Sequence, residues 1–313
     1  MKQIKNTGKN IDRKSRLQLY IAHKGLMLLF LPGFLYFLVF HYIPMGGIVI
    51  AFKDYFLLKG IMASPWVGMK HFVRLFTSEG FISVIFNTVR ISLLHLAFGF
   101  PMSIILALSL NEVKSGIFKR GIQTITYLPY FFSWVILGGI IRMLLSMGGP
   151  VNDLLTSIGI ERTPFLSNGR WYLFTLVITG IWKGVGYGAV IYLAALSGID
   201  VELYEAAIMD GAGRWKQTMY ITLPCLIPTI MVMLILNLGN ILNAGFDQIY
   251  NTTSIMVLSV SEIIDTYVLK RMQGLDYGLG TASGLFKSAV GFVMVLSSNL
   301  IIKRLSDGEA GIW

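Results

Sequence analysis

The stretch Leu223-Pro224-Cys225-Leu226-Ile227-Pro228-Thr229-Ile230-Met231-Val232-Met233-Leu234-Ile235-Leu236-Asn237-Leu238-Gly239-Asn240-Ile241-Leu242-Asn243-Ala244-Gly245-Phe246 carries no charged residue from end to end. A helix that crosses a bilayer needs about 20 largely apolar residues, so this run by itself places the chain in lipid. Five more runs of that kind lie outward from it: Leu26–Met45, Phe81–Leu110, Ile122–Leu145, Trp171–Leu196 and Leu285–Ile302. The reading is an all-α membrane protein with six transmembrane helices. Pro101, two residues after Gly99, predicts a kink in the second span, because proline removes a helical N–H.

The whole composition agrees. Of 313 residues, 55% are hydrophobic and 13% charged, against about 25% charged in soluble domains, and the mean hydropathy is +0.68. An ordinary water-soluble enzyme is excluded. The formal charge of +10 would suggest nucleic acid in a soluble protein, but here it reads as topology. Cytoplasmic loops of membrane proteins are enriched in Lys and Arg. With both termini cytoplasmic, 14 basic residues fall inside and 8 outside, while Arg90, Arg142, Lys183 and Lys287 lie within spans. No nucleic-acid partner is expected. The division is a basic cytoplasmic tail over residues 1–25, a six-span domain over 26–302 with a cytoplasmic loop at 197–222, and a second cytoplasmic tail at 303–313. The first apolar run is longer than the 7–15-residue core of a secretory leader and no A-x-A-like site follows it, so removal of a leader is not expected.

The loop between the fourth and fifth spans carries the most information. Val201 to Met209 reads as a short amphipathic helix, with Leu203, Tyr204, Ala207 and Ile208 at helical spacing. Gly211 then lets the chain turn with φ > 0. Small side chains at Ala206, Ala207, Gly211 and Ala212 permit another protein's backbone to come close. A plain solvated helix beside the membrane is the alternative on composition alone.

The string Glu205-Ala206-Ala207, with Asp210-Gly211-Ala212 after it and Ile221-Thr222-Leu223-Pro224 beyond, resembles the EAA loop of permease subunits of binding-protein-dependent ABC importers. Leu31-Pro32-Gly33, Ala51-Phe52-Lys53-Asp54-Tyr55, Ser64-Pro65-Trp66-Val67-Gly68 and Tyr127-Leu128-Pro129-Tyr130-Phe131 are similar to segments of the carbohydrate permeases, in the branch that handles complex oligosaccharides. The resemblance covers nearly the whole chain and implies a type I ABC importer permease in the bacterial cytoplasmic membrane. It implies four kinds of partner: a second, similar permease subunit, two ATPase subunits, an extracellular solute-binding protein, and an oligosaccharide as substrate. It assigns ATPase coupling to Glu205, Ala206, Ala207, Asp210, Gly211 and Ala212. A membrane scaffold or receptor that does not translocate, and a permease for a non-sugar solute, are the other readings.

Catalytic chemistry is not expected of this chain. A phosphate-binding loop needs lysine directly after its second glycine, and the nearest approach, Gly284-Leu285-Phe286-Lys287-Ser288, lacks that order. No cofactor is expected here; ATP and Mg would belong to the ATPase partners. His23, His41, His71 and His95 are scattered without metal-ligand spacing, and Cys225 is the single cysteine.

Polar residues inside spans are costly and mark wet cavities or helix contacts. On that ground Asn87, Arg90, Trp182, Lys183, Tyr187, Asn237, Asn240 and Asn243 are the candidate substrate-pathway residues, with the amides suited to sugar hydroxyls and Trp182 or Tyr187 to a pyranose face. Packing through interhelical hydrogen bonds is the competing role. Arg90 and Lys287 are expected to snorkel toward the surface, and Arg142 to anchor at the interface.

Overall fold

Pro, Gly and Asn decide where the helices of this chain stop, because the apolar runs between them would otherwise continue. The computed structural model describes residues 24–78, 80–113 and 116–305; most of the expected tails, 1–25 and 303–313, lies outside the described residues. Twelve helical elements organise the description. They are α1 (Lys24–Phe52), α2 (Lys70–Thr77), α3 (Phe81–Glu112), α4 (Gly116–Tyr127), α5 (Trp134–Leu145), α6 (Pro150–Ser157), α7 (Gly169–Leu196), α8 (Val201–Met209), α9 (Arg214–Gly239), α10 (Phe246–Thr252), α11 (Ile264–Gln273) and α12 (Tyr277–Leu305). Among the described residues six helical stretches are long and apolar enough to cross a membrane, the third being Trp134–Ser157, which takes in α5 and α6.

Four expectations change. The run from Ile122 to Leu145 is not one helix: α4 ends at Tyr127, a 3-10 turn covers Leu128–Phe131, and α5 starts at Trp134. Pro129 is the cause, since it lacks an N–H and disfavours helical backbone at Leu128; Ser133 then caps α5 by accepting from the Ile136 N–H. The fifth span starts earlier, at Arg214, and ends at Gly239 instead of Phe246. The sixth begins at Tyr277, two turns before Leu285. The sequence over Ile255–Val268 reads as one short helix over the outer mouth, but the structure divides the region into Ile255–Val257, Leu258–Ser261 and α11. The second span behaves as its sequence suggests, with a π-turn at His95–Gly99 immediately before Pro101.

Inside the bundle, α7 is the central element, against α3, α4 and α9. Its Gly186 is buried, and a β-carbon there would strike the Thr126 carbonyl of α4. Two clusters of buried side chains fill one end of the bundle. Ile91, Tyr172, Leu176, Ile249, Val257 and Ile263 form one, and Leu75, Phe81, Val84, Ile264, Tyr267 and Leu279 the other. Ala107, Ala189, Tyr192, Leu196 and Leu226 fill the opposite end. The first part of α1 stands apart, with every residue from Lys24 to Met45 exposed and Leu29 79% accessible, whereas its end, Gly46–Phe52, packs against α12 and buries Ala51. In water such a face would aggregate; in hydrocarbon it costs nothing, because lipid tails are as apolar as leucine.

Candidate functional site

Two features have the form of sites, and each begins with local backbone chemistry. The first is α8 and the turn after it. Asp200 caps the helix, its carboxylate accepting the Glu202 N–H at 3.0 Å. Gly211, at φ +76°, ends it: the Gly211 N–H reaches the Ile208 carbonyl and the Ala212 N–H the Ala207 carbonyl at 2.8 Å. This is the left-handed glycine termination that other residues adopt only with strain. No residue of α8 is buried. Ile208 and Met209 are 60% and 87% accessible, and the Glu205 carboxylate has no hydrogen bond or ion pair among the described residues. Glu205, Ala206, Asp210 and Gly211 are exposed, Ala207 and Ala212 half-buried.

This exposed helix is nonetheless fastened to the bundle. Tyr204 Oη meets Thr222 Oγ1 at 3.0 Å, the Gln217 amide donates to the Ala212 carbonyl at 2.7 Å, and Arg214 pairs with Glu112 of α3 at 3.5 Å. From there α9 runs for 26 residues, about 39 Å at helical rise, to the second feature.

That feature is a cavity of about 430 Å³ between α3, α7 and the end of α9. Asn237, Asn240, Asn243 and Tyr187 line it, with His95 and Trp134. The three asparagines do not form one helical stripe as their spacing suggests. Asn237 and Asn240 donate back to the carbonyls of Met233 and Leu236, and Asn243 donates to Asn240 Oδ1 at 3.1 Å from a 3-10 turn beyond the helix. Such local bonds compete with the helix ladder, and Ala244 and Gly245, both at positive φ, complete the stop.

Asn87, Arg90, Trp182 and Lys183 are elsewhere. The Lys183 ammonium points into the break of the third span, where it donates to the carbonyls of Tyr130 at 2.9 Å, of Pro129 at 3.4 Å and of Phe132. It also lies 5.6 Å and 5.5 Å from the ring centroids of Tyr130 and Trp134. Tyr187 stacks on Tyr130 with centroids 4.0 Å apart, so one face of its ring is taken. Arg90 does not snorkel: it donates to Asn87 Oδ1 and to the Val260 carbonyl at 3.0 Å, while Asn87 donates to the Ser259 carbonyl. Lys287 does not snorkel either, and is paired with both oxygens of Asp265 at 2.7 Å. Arg142 donates to the carbonyls of Asn251 and Thr253 at 2.9 and 3.0 Å.

Sequence reasoning missed these clamps. Its one available signal was proline within an apolar run, since an opened helix leaves carbonyls that need a donor. A neighbouring second cavity, of about 600 Å³, shares Trp134, Asn243 and Gly245 with the first and adds Phe246, Asp247 and Asp265.

The comparisons with known proteins agree with this architecture. The chain is 44% identical over 310 residues to the polygalacturonan/rhamnogalacturonan transport system permease protein YteP of Bacillus subtilis (strain 168), covering 97% of this chain and 95% of that protein. It is 43% identical over 308 residues to protein LplB of the same strain, with the same two coverages of 97% and 95%. Among solved structures it is similar to a chain of a bacterial ABC transporter involved in the import of the acidic polysaccharide alginate, with a TM-score of 0.86 at 41% identity over 92% of this chain and 98% of that one. A second crystal structure, of the alginate transporter in complex with an alginate pentasaccharide-bound periplasmic protein, matches with a TM-score of 0.86 at 40% identity, over 94% and 99% of the two chains. The family model for the binding-protein-dependent transport system inner membrane component matches residues 99–307, a range that takes in the exposed helix, Lys183 with the carbonyls it serves, and the cavity lining from Gly99 onward. By that match and by these identities the chain belongs to the binding-protein-dependent transport system inner membrane component family.

Proposed function

We propose that this chain is the transmembrane subunit of an ATP-driven ABC importer that carries oligosaccharides, with α8 as the helix that engages an ATPase subunit. The observation that carries the reading is the pairing of an exposed helix with firm attachment. A helix with no buried residue, ended by a strained-in-all-but-glycine turn and bonded through Tyr204 to Thr222, is built to receive force from outside the chain. Glu205, Ala206, Ala207, Asp210, Gly211 and Ala212 form the contact, and the end of the bundle that carries them faces the cytoplasm with both termini.

The partners are a second permease subunit, two ATPase subunits that hold ATP and Mg, and an extracellular solute-binding protein. Their support is the family membership and the similarity to a transporter solved with its sugar-bound periplasmic protein. Closure of the ATPases displaces α8, and α9 transmits the displacement to Asn237, Asn240 and Asn243 at its far end. The cavity then changes shape, and sugar affinity differs between the two states, as coupling requires. Asn237, Asn240, Asn243 and Tyr187 meet the sugar; Asn87, Arg90, Trp182 and Lys183 hold the walls.

Uptake of labelled oligosaccharide into vesicles that contain the complete transporter tests the reading. Uptake depends on ATP and the binding protein, and Gly211→Val abolishes it while the bundle still assembles. Unchanged uptake in that variant refutes the coupling role, and no ATP-dependent uptake of any sugar refutes the importer reading.

A further inference from the structure

Four side chains are tied together at the break of the third span, beside the 430 Å³ cavity. Tyr187 stacks on Tyr130 at 4.0 Å, and the Lys183 ammonium lies 5.6 Å from the Tyr130 ring and 5.5 Å from that of Trp134. Tyr187 and Trp134 line the cavity, whereas Tyr130 and Lys183 do not. Lys183 keeps its positive charge, because the carbonyls of Pro129, Tyr130 and Phe132 that it serves are neutral. A retained ammonium attracts the face of an indole. One face of Trp134 is thus engaged by the chain itself, while the residue still forms part of the cavity wall. Its backbone is fixed as well, as the first residue of α5 after the Ser133 cap, which accepts the Ile136 N–H.

Trp134 is also where two cavities meet. With Asn243 and Gly245 it lines both the 430 Å³ space and the 600 Å³ one, and among the described residues no other aromatic side chain does. Gly245 brings no side chain to the junction, and its φ of +74° resists any other residue. The junction is therefore a large flat ring, a carboxamide and bare backbone. Each cavity falls in the size range of small-molecule pockets, about 300–1,000 Å³. Each also has groups for sugar hydroxyls beyond the junction, Asn237 and Asn240 in one and Asp247 in the other.

We infer that Trp134 is the platform on which a sugar chain crosses between the two cavities, with one pyranose ring on the indole and the units on its two sides in the 430 Å³ and 600 Å³ spaces. The inference rests on the oligosaccharide reading above and deepens it, because it makes chain length the property that this subunit selects. The apolar face of a pyranose covers an indole well, and a ring that the chain already holds in place loses little further freedom when sugar binds. A single sugar fills one cavity at most. A chain makes the contacts of both cavities while it loses its free translation only once.

The test uses the complete transporter in detergent without its solute-binding protein, so that the binding protein's own preference does not enter. Tetragalacturonate and xylotetraose, an acidic and a neutral chain, are titrated by saturation-transfer NMR, each against its own monosaccharide. Wild type binds at least one of the two chains at least about tenfold more tightly than the single sugar, which is about 1.4 kcal/mol. The strongest transfer falls on the C–H protons of an internal unit, the one on the indole, and this reads the platform without any substitution. Trp134→Leu, apolar but without a flat ring, lowers the ratio to within about threefold, whereas Trp134→Phe keeps most of it. Size exclusion checks that both variants assemble.

Binding of neither chain, equal binding of chain and single sugar, strongest transfer to a terminal unit, or a ratio that Trp134→Leu leaves unchanged overturns the inference. So does a loss in Trp134→Phe as large as that in Trp134→Leu, which would mark a packing role. The oligosaccharide reading survives those results as long as some sugar-loaded binding protein stimulates ATP hydrolysis by the transporter. If no sugar does so, it is that reading which fails.

Discussion

The 197–222 loop and the broken third span both interrupt the membrane-crossing pattern, yet their polar groups have opposite fates. Along α8 no residue is buried, and the Glu205 carboxylate has no partner among the described residues. At residues 128–133 the opened backbone is closed again from within, its carbonyls claimed by Lys183. The difference follows from the medium. Outside the membrane, water satisfies an unused group until a partner displaces it; within hydrocarbon or a tightly packed bundle, the chain must supply the partner itself. Exposure in the loop therefore needs no partner from within the chain, whereas a charge in a span is first evidence of a backbone that needs it.

The largest effect that separates the two regions is expected at Lys183. Lys183→Met leaves the carbonyls of Pro129, Tyr130 and Phe132 without their donor, at about 1–3 kcal/mol for each group left unsatisfied. The apparent melting temperature of the purified complex falls by roughly 5–10 °C in a fluorescence-based thermal shift, and a drop under about 2 °C would remove the contrast drawn above.

The Lys287–Asp265 pair is next. Its side chains are only 18% and 26% accessible, so loss of one partner strands the other charge. Lys287→Met costs about 2–4 kcal/mol, while Lys287→Met combined with Asp265→Leu recovers most of it. A double-variant thermal cycle checks this, and simple additivity would show that the two charges do not interact.

The loop behaves in the opposite way. Glu205→Ala shifts the melting temperature by less than about 2 °C, as exposed substitutions do, yet lowers sugar-stimulated ATP hydrolysis at least about tenfold if the contact is worth a typical interface residue. Within the turn, Gly211→Ala loses roughly 1 kcal/mol from strain at φ +76°, and Gly211→Asn loses less because asparagine enters that region more readily. The melting temperatures of the two variants order these costs.

The smallest effect concerns Asp54, in the loop after α1. The hydrogen bond from Lys70 at 2.9 Å holds its carboxyl below the ordinary carboxylate value, with the charges of Lys70, His71 and Arg74 adding to it and desolvation opposing. Its stabilising contribution is complete above the unfolded pKa of about 3.9 and disappears as pH falls through the lowered folded value. Thermal curves of wild type and Asp54→Asn therefore separate slightly at neutral pH and converge in acid.

Much of the fold was legible because lipid imposes a simple rule. A largely apolar run of about 20 residues must be a helix there, and six such runs are plain in the sequence. The glycine turn at Gly211 was legible for a local reason, since it depends on one residue's own backbone. The ends of the spans were less so. Asn237, Asn240 and Asn243 read as a stripe on one helix, but the stop at Gly239 places Asn243 in a separate turn; whether a helix continues past an asparagine depends on what its amide finds nearby.

The sequence by itself determined the class, the number of spans and the short helix with its glycine turn between the fourth and fifth of them, because hydropathy and backbone freedom are properties of short segments. Only the tertiary structure decided what the charges within the spans do. Lys183 and the Tyr130 carbonyl are separated by 53 residues, and Arg142 and the Asn251 carbonyl by 109; no local rule joins them. A polar side chain in a membrane bundle takes its role from the nearest unsatisfied group, and which group is nearest is known only once the helices have packed.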